Sequence, residues 1–387
     1  MEYGLSARNL DIRERARAIA REVTAKHAAE HDRAYTVPLE TMRALHRDGL
    51  IGLCIDRALG GEGTGLISGV EPQAYLLVIE ELGRADMSAA HCYQVHAHTC
   101  QTISAIGTDE QKRRYLRPAL ERGELFSFTV SEPGRTARVN LVSEAAPDGD
   151  GYRLNGVKSF ATLASVAEWN VIGVNMAGLA PADAITLMMV PRGARGLEID
   201  EAWWRPTGMR GAVSPKLDLK DLYVPAADVL REPGFYPKSQ IGSRWHLGFA
   251  ANHLGAAQGL LDFAVDYLPQ RGTANNPHAQ RALGEMRLNI AASRHLLYRA
   301  AEMWAGAGEP GKEVYSLMAK SHAIATAEWM ANEIIRITGS SALLESHPLH
   351  RMIRDIHVHS THANLHNTAQ TIGRDLLALE IDVTQQQ

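Results

Sequence analysis

A block of short β-favouring segments between two long helical blocks most constrains the fold of this chain. The strand candidates lie within 126–224 and are separated by Pro and Gly. Before them, apolar residues recur at helical spacing, as in Ile19, Ala20 and Val23. After Pro237, four helical segments with short links predict an antiparallel bundle, over 244–268, 279–305, 312–338 and 349–381. We therefore expect an α+β fold with an N-terminal helical domain (1–123), a central β-barrel-like domain (124–235) and a C-terminal four-helix bundle (236–387).

Charge and composition limit the partners of the protein. The 387 residues carry a formal net charge of only −4, which argues against nucleic acid as the main partner. The first residues lack the apolar core of a secretory signal, and no run of about 20 apolar residues predicts a membrane span. The three cysteines, Cys54, Cys92 and Cys100, have no CxxC spacing. This pattern favours reduced thiols and a cytoplasmic location.

Two segments of the β block carry a family resemblance. They are Val130-Ser-Glu-Pro-Gly134 and Asn155-Gly-Val-Lys-Ser-Phe-Ala-Thr162. Their order and spacing, together with Glu80-Glu-Leu-Gly83, Gly107-Thr-Asp-Glu-Gln111 and Leu222-Tyr-Val-Pro-Ala226, resemble the acyl-CoA dehydrogenases over nearly the whole chain. The resemblance implies a flavin-dependent oxidoreductase of that fold, with FAD or FMN as the cofactor.

The resemblance also implies which residues contact the flavin. Phe160 would pack against a face of the isoalloxazine, and Thr162 would lie near its N5 edge. The alternative for the phenylalanines is that they are ordinary core aromatics. The other implied contacts are Phe128, Val130 and Ser131 along the ring, with Arg271, Arg336, Gly339 and Ser340 at positions that hold the phosphate or dinucleotide part.

The catalytic carboxylate of the family is missing. An acyl-CoA dehydrogenase needs a base within reach of the substrate α-carbon. The two family positions for that glutamate correspond here to Ala363 and Trp245, neither of which accepts a proton. The Gly-Ser pair that contacts coenzyme A is replaced by Thr136 and Ala137. The sequence therefore puts both the expected base and coenzyme A binding in doubt.

The C-terminal part resembles the two-component flavin monooxygenases of the same fold. The resemblance rests on Gly339-Ser-Ser-Ala-Leu343, His347-Pro-Leu-His-Arg351, Arg354-Asp355 and His362. It implies that reduced flavin reacts with O₂ to form a C4a-hydroperoxide that oxygenates a small aromatic, heterocyclic, amine or sulfur compound. A separate flavin reductase would supply the reduced flavin, since no GxGxxG segment follows a strand. Two alternatives are a dehydrogenase or oxidase of acyl-CoA or acyl-carrier substrates with a relocated base, and a non-catalytic binding or scaffold protein.

Histidines are the candidate catalytic residues. His362 could donate a hydrogen bond and return a proton near neutral pH, or it could only pack or cap the last helix. His96 is a second candidate, with a core histidine as the alternative. The four-residue spacing of His362 and His366 could hold a metal, but no accompanying carboxylate or cysteine set favours one. By resemblance we expect a homotetramer, in which Arg336 and Gly339 reach a neighbour's flavin.

Overall fold

The computed structural model describes residues 4–134, 141–239 and 241–383, and the predicted order of helices, sheet and helices is confirmed. The first part consists of six helices: α1 (Ala7–Ile19), α2 (Ala25–Ala34), α3 (Leu39–Arg47), α4 (Ala74–Ala85), α5 (Met87–Ile106) and α6 (Asp109–Arg122). Helix α4 is buried along most of its length, and its two buried carboxylates, Glu80 and Glu81, are paired with Arg294 and with Arg17 of α1. The N-terminus of α6 is fixed by a capping box between Thr108 and Gln111.

The central part is one mixed sheet. Its elements are β1 (Phe126–Thr129), β2 (Glu144–Asp148), β3 (Gly151–Lys158), β4 (Trp169–Met176), α7 (Pro181–Ala184), β5 (Ile185–Pro191), β6 (Leu197–Asp200), β7 (Lys216–Pro225), β8 (Val229–Leu230) and the short α8 (Phe235–Lys238). The hydrogen-bonded order is β6-β7-β3-β2-β4-β5-β8, and β1 pairs in parallel with β4. Both faces of β4 are buried: Val171 belongs to the large core shared with the helices, and Ile172 to the core of the sheet. The sheet is therefore packed against the helical part through β1, β4 and β5.

The last part contains three long helices and two shorter ones. They are α9 (His246–Gln270), α10 (Pro277–Glu302), α11 (Lys312–Thr338), α12 (Leu349–Ser360) and α13 (Leu365–Leu376). The single helix predicted over 349–381 is wrong, because the chain breaks after Ser360 and restarts at Asn364, whose side chain accepts a bond from the Asn367 N–H (3.1 Å). His362 lies in this break, and the exposed His366 lies on α13, so the two histidines do not share a helical face.

Buried ion pairs fix α12 to the other two parts. Arg351 of α12 donates to the Asp86 carboxylate at the start of α5 (3.0 Å). Asp355, also on α12, accepts the backbone N–H of Met209 from the loop before β7 (2.6 Å). Burial raises the pKa of Asp355, and the Arg351 charge opposes that rise. The helix that carries His359 is thus held at the point where all three parts meet. Among the described helices, none is long and apolar enough to cross a membrane.

Candidate active site

The two segments with the family resemblance lie side by side. The Thr129 hydroxyl donates to the Ser159 carbonyl oxygen (3.1 Å), and the Ser159 N–H donates to the Ser131 carbonyl oxygen (3.0 Å). This pairing brings Phe128, Val130 and Ser131 next to the strand end that leads to Phe160 and Thr162. The structure therefore assembles the segments on which the predicted flavin contacts depend.

Phe160 is displayed at the surface in an unusual conformation. Its backbone φ is +57°, a left-handed value that is uncommon for an aromatic residue. Its side chain is 56% exposed, and the Trp203 ring meets it edge-on with centroids 5.2 Å apart. Backbone strain of this kind persists where the surrounding structure fixes it, often at ligand sites. Phe160 is therefore not an ordinary core aromatic, whereas Phe128 is buried.

The indole of Trp245 occupies one of the two positions where the family has its catalytic glutamate. Trp245 is buried at the start of α9 and stacks on His98, with centroids 5.2 Å apart and an interplanar angle of 15°. The edge of the Trp245 ring also meets the Phe128 ring, with centroids 4.4 Å apart. The other position, Ala363, lies half-buried in the break between α12 and α13. Thr136 and Ala137, at the predicted coenzyme A contact, lie outside the described residues.

Four histidines from three helices converge beside Thr162. We call them the histidine cluster: His91 on α5, His253 on α9, and His359 and His362 at the end of α12. His91 Nε2 lies 3.3 Å from Thr162 Oγ1, and His91 Nδ1 lies 3.1 Å from His359 Nε2. The His253 and His359 rings have centroids 4.7 Å apart. The cluster thus places imidazoles directly behind the residue that the family resemblance puts at flavin N5.

Burial keeps the inner imidazoles neutral. It lowers the pKa of His91 and His359 well below the ordinary value, and neighbouring histidines lower both further. Burial likewise lowers the pKa of His253 to about 3. The other groups that depress these values are His98 and Lys320, and no carboxylate of the described residues contributes to them. At neutral pH these three rings are therefore uncharged, and each keeps one nitrogen that can accept a hydrogen bond.

His362 differs from the rest of the cluster in being only half-buried. Its Nδ1–H donates to the His359 carbonyl oxygen (2.9 Å), which leaves the lone pair of the neutral ring on Nε2. Its own carbonyl oxygen accepts from the buried Lys320 Nζ (2.9 Å). Its ring centroid lies 4.9 Å from that of Phe249 and 5.3 Å from that of His91. His362 is thus held in a fixed orientation, immediately before Ala363.

Other predicted site residues lie elsewhere. His96 is fully buried, stacks on Phe126 with centroids 5.5 Å apart, and is 3.4 Å from the Cys100 thiol, and burial lowers its pKa to about 4. In the described part of the chain, the His96 ring contacts Phe126 and Cys100 rather than Thr162 or the histidine cluster. The four predicted phosphate-side residues, Arg271, Arg336, Gly339 and Ser340, are exposed at the ends of α9 and α11. Their predicted role at a neighbour's flavin stays a prediction.

Sequence reasoning predicted His362 as a site residue but did not predict that His91, His253 and His359 lie beside it. The signal was available in part, since His91 and His253 interrupt strongly apolar helices. Polar rings in such positions require a hydrogen-bond partner. Which partner they find depends on how α5, α9 and α12 cross. Among the described residues, no group of three or more His, Cys, Asp or Glu side chains could hold a metal ion.

Comparison with known proteins identifies the family. The acyl-CoA dehydrogenase N-terminal, middle and C-terminal domain models match residues 6–123, 127–222 and 247–367 in that order. The chain therefore belongs to the acyl-CoA dehydrogenase superfamily, a group of flavin-dependent oxidoreductases. In structure it is similar to butyryl-CoA dehydrogenase from Megasphaera elsdenii, with a TM-score of 0.89 and 25% identity over 97% of this chain and 100% of that one.

Two curated relatives are reductases by name. The chain is 28% identical to a 3-(aryl)acrylate reductase from Clostridium sporogenes, over 90% of this chain and 92% of the relative. It is also 28% identical to acryloyl-CoA reductase (NADH) from Anaerotignum propionicum, over 92% of this chain and 90% of the relative. Both names denote enzymes that act on an acrylate unit.

The prediction of a monooxygenase is wrong. Dibenzothiophene monooxygenase from a Paenibacillus species matches with a TM-score of 0.83 but only 20% identity, over 97% of this chain and 99% of that one, a likeness that shows the fold alone. The curated relatives are acrylate reductases and acyl-CoA dehydrogenases instead. The missing carboxylates at Ala363 and Trp245 misled the prediction, because an imidazole can also exchange a proton with carbon. O₂ as cosubstrate and a separate flavin reductase depended on that interpretation and are withdrawn with it.

Proposed function

We propose that the protein is a flavin-dependent oxidoreductase of the Cα–Cβ bond of an acyl compound, and that the base is relocated to the histidine cluster. The substrate class is an acyl or acryloyl thioester, or the corresponding aryl acrylate. Bound flavin supplies hydride exchange at Cβ, and a protein group exchanges the proton at Cα. The single observation that supports this proposal is the convergence of the histidine cluster on Thr162 (3.3 Å from His91).

The residues around Thr162 fit a flavin. Phe160 presents an exposed aromatic face, held by a strained backbone and by Trp203. Ser131 and Thr162 supply polar groups at the edge of that face, on segments joined through Ser159. A flat heteroaromatic ring with a polar edge matches an apolar platform bordered by a few polar groups. Whether the flavin is FAD or FMN depends on contacts at Arg271, Arg336, Gly339 and Ser340.

His362 is the residue we assign to the Cα proton. It is adjacent to the position of the family carboxylate, and its Nδ1–H is committed to the His359 carbonyl oxygen (2.9 Å). Nε2 therefore carries the lone pair that accepts the α-proton on oxidation, and the imidazolium returns that proton on reduction. An imidazole can serve in turn as base and as acid, which both directions of the exchange require. A carboxylate at Ala363 is not required for this exchange.

The proposal extends to assembly. The exposure of Arg336, Gly339 and Ser340 supports a homotetramer in which they reach a neighbour's flavin. The dinucleotide part of that flavin would then bind across two subunits. A monomer in light scattering at micromolar concentration would contradict this part of the proposal.

The test is α-proton exchange. Flavin-loaded protein is incubated in D₂O without oxygen, with butyryl-CoA and, separately, 3-phenylpropionyl-CoA, and deuterium at Cα is followed by mass spectrometry. We expect exchange, and we expect His362→Ala to lower its rate about 100-fold or more, the usual contribution of a positioned acid–base group. His357→Ala is the matched control, since His357 is exposed on α12, the helix that precedes His362. Absence of exchange with both compounds, or equal rates in the two variants, would overturn the assignment.

A further inference from the structure

A chain of hydrogen bonds runs from the sheet into α12. The Ser214 hydroxyl donates to the Ala212 carbonyl oxygen (2.9 Å), and Ser214 Oγ lies 2.7 Å from Thr162 Oγ1. Thr162 Oγ1 lies 3.3 Å from His91 Nε2, and His91 Nδ1 lies 3.1 Å from His359 Nε2. All four side chains are at least nine-tenths buried. The chain thus joins the predicted N5 position to the helix that ends at His362.

The direction of the chain follows from its Ser214 end. The single Ser214 proton is used on the Ala212 carbonyl oxygen, so the Thr162 hydroxyl donates to Ser214 Oγ. Thr162 Oγ1 then accepts from His91 Nε2–H. A neutral imidazole carries one N–H, so His91 Nδ1 is an acceptor and receives the His359 Nε2–H. Every donor therefore points from α12 toward Thr162.

The chain of hydrogen bonds ends on α12 at a buried nitrogen lone pair of His359. With its proton on Nε2, His359 has a bare Nδ1, and this atom has no hydrogen-bond partner among the described residues. A buried polar atom without a partner is costly and calls for a functional reason. Burial lowers the pKa of His91 and His359, and His253, His362, His91 and Lys320 lower that of His359 further. Both rings are thus neutral at rest, and a proton is taken up at His359 Nδ1 only as the Nε2 proton leaves toward His91.

We propose that His359, His91 and Thr162 form a proton relay that delivers a proton to the N5 edge of a bound flavin. The relay rests on the proposed function only in requiring that flavin binds beside Thr162. It serves the half-reaction with a one-electron carrier protein, in which two electrons and one proton reach the flavin. It is separate from His362, which exchanges a proton with the substrate.

With flavin bound beside Thr162, the Thr162 hydroxyl would turn from Ser214 toward N5 and give up its proton, and His91 Nε2–H would replace that proton. His359 Nε2–H would pass to His91 Nδ1. One proton, supplied by water when the buried ring becomes accessible, would be taken up at His359 Nδ1. Both rings end as the opposite neutral tautomer, which restores itself when protons flow back on flavin oxidation. The resting orientation therefore prepares the site for flavin reduction, and hence for reduction of an unsaturated acyl compound.

The first test needs neither flavin nor substrate. In protein labelled with ¹⁵N-histidine, the imidazole nitrogens of His91 and His359 are assigned from the signals lost in His91→Asn and His359→Asn. We expect both rings to be neutral Nε2–H tautomers at neutral pH. An Nδ1–H tautomer for His91, or a charged ring at either position, would overturn the relay direction.

The second test measures flavin reduction without an acyl compound. Flavin-loaded protein is reduced by dithionite in a stopped-flow instrument, in H₂O and in D₂O. We expect slower reduction in D₂O, and a loss of rate on the order of 100-fold in His359→Asn, with flavin affinity and melting temperature retained. His96→Asn is the matched control. His96 on α5 is as buried as His359, but it does not belong to the chain of hydrogen bonds.

The proton relay and the proposed function predict different results in these experiments. An unchanged reduction rate in His359→Asn would overturn the relay, and so would failure to bind flavin. Ser214→Ala is a second variant should His359→Asn fail to fold. It frees the Thr162 proton, so we expect flavin reduction to become faster, and an unchanged rate would count against the relay. If reduction behaves as expected but no α-proton exchange occurs, the proposed function falls and the relay stands.

Discussion

At the scale of single residues, the candidate flavin site depends on one buried charge. Lys158, which ends β3, is fully buried, and its Nζ contacts the Glu132 carboxylate (2.8 Å) and the Val130 carbonyl oxygen (3.3 Å). Burial would raise the pKa of Glu132, but Lys158 and the backbone N–H groups of Val142 and Ser143 lower it overall. The pair therefore joins the two segments that would carry the flavin.

Removing the carboxylate should destabilise the protein more than removing both charges. Glu132→Gln leaves the Lys158 ammonium without its counter-charge, so we expect a loss of about 3–5 kcal/mol in the free energy of unfolding. In the double variant Glu132→Gln/Lys158→Met the loss should be smaller, since no uncompensated charge stays buried. Glu198→Gln is the control, because the Glu198–Lys220 pair (2.6 Å) is exposed and its loss should change the free energy of unfolding little. Urea denaturation measures all three, and equal losses in the single and double variants would contradict the argument.

At the scale of elements, the break between α12 and α13 positions His362. Asn364 caps α13 by accepting the Asn367 N–H (3.1 Å), and Lys320 from α11 holds the His362 carbonyl oxygen (2.9 Å). These two contacts fix the backbone on either side of Ala363. The break therefore holds His362 in place just after α12, with its Nδ1–H on the His359 carbonyl oxygen.

Removing the cap should affect both stability and exchange. Asn364→Ala loses a side-chain N-cap, at a cost of about 1 kcal/mol, and lets the backbone at His362 move. We expect a slower α-proton exchange in addition to the lower melting temperature. Asn276→Ala is a matched control, since Asn276 caps α10 by accepting the His278 N–H (2.9 Å). A similar fall in exchange rate in both variants would mean that the effect is general destabilisation.

The sequence predicted whole elements better than it predicted their meeting points. Helix α11 spans the predicted 312–338, because its apolar periodicity is uninterrupted. The break after Ser360 was missed, although Asn364 is a typical N-cap residue, because an N-cap signal inside an apolar pattern is easily overridden by the periodicity. Two-residue contacts such as Thr162 with His91, 71 positions apart, depend on the crossing of the sheet with α5. No local pattern encodes that crossing.

At the scale of the whole molecule, buried histidines connect the three parts. Helix α5 places His96 against Phe126 of β1, His98 against Trp245 at the start of α9, and His91 against His359 of α12. The contacts between the three parts therefore depend on imidazoles that are neutral only while they are buried. Lowering the pH should destabilise these contacts before it destabilises the sheet.

The stability of the protein should fall as the pH drops below about 6.5. Burial lowers the folded-state pKa of five buried histidines, His91, His96, His98, His253 and His359, and acts in the same direction on the partly buried His350. Since the unfolded chain binds these protons near pH 6.5 and the folded chain does not, each costs up to about 1.4 kcal/mol per pH unit below that value. Glu81, Asp86 and Asp355 act in the opposite sense, because burial raises their pKa and the folded state binds their protons first. Because five histidines lower the stability as the pH falls and only three carboxyl groups raise it, we expect a net loss of stability.

Calorimetry from about pH 7 to about pH 5.5 measures this loss, and proton uptake on unfolding measures its cause. We expect a falling melting temperature together with a net uptake of protons. His96→Gln removes one of the five groups and leaves the others in place, so its melting temperature should fall less steeply with pH than that of the unmodified chain. A melting temperature that stays level or rises toward pH 5.5 would show that the carboxyl groups outweigh the histidines and that the junction does not depend on neutral imidazoles.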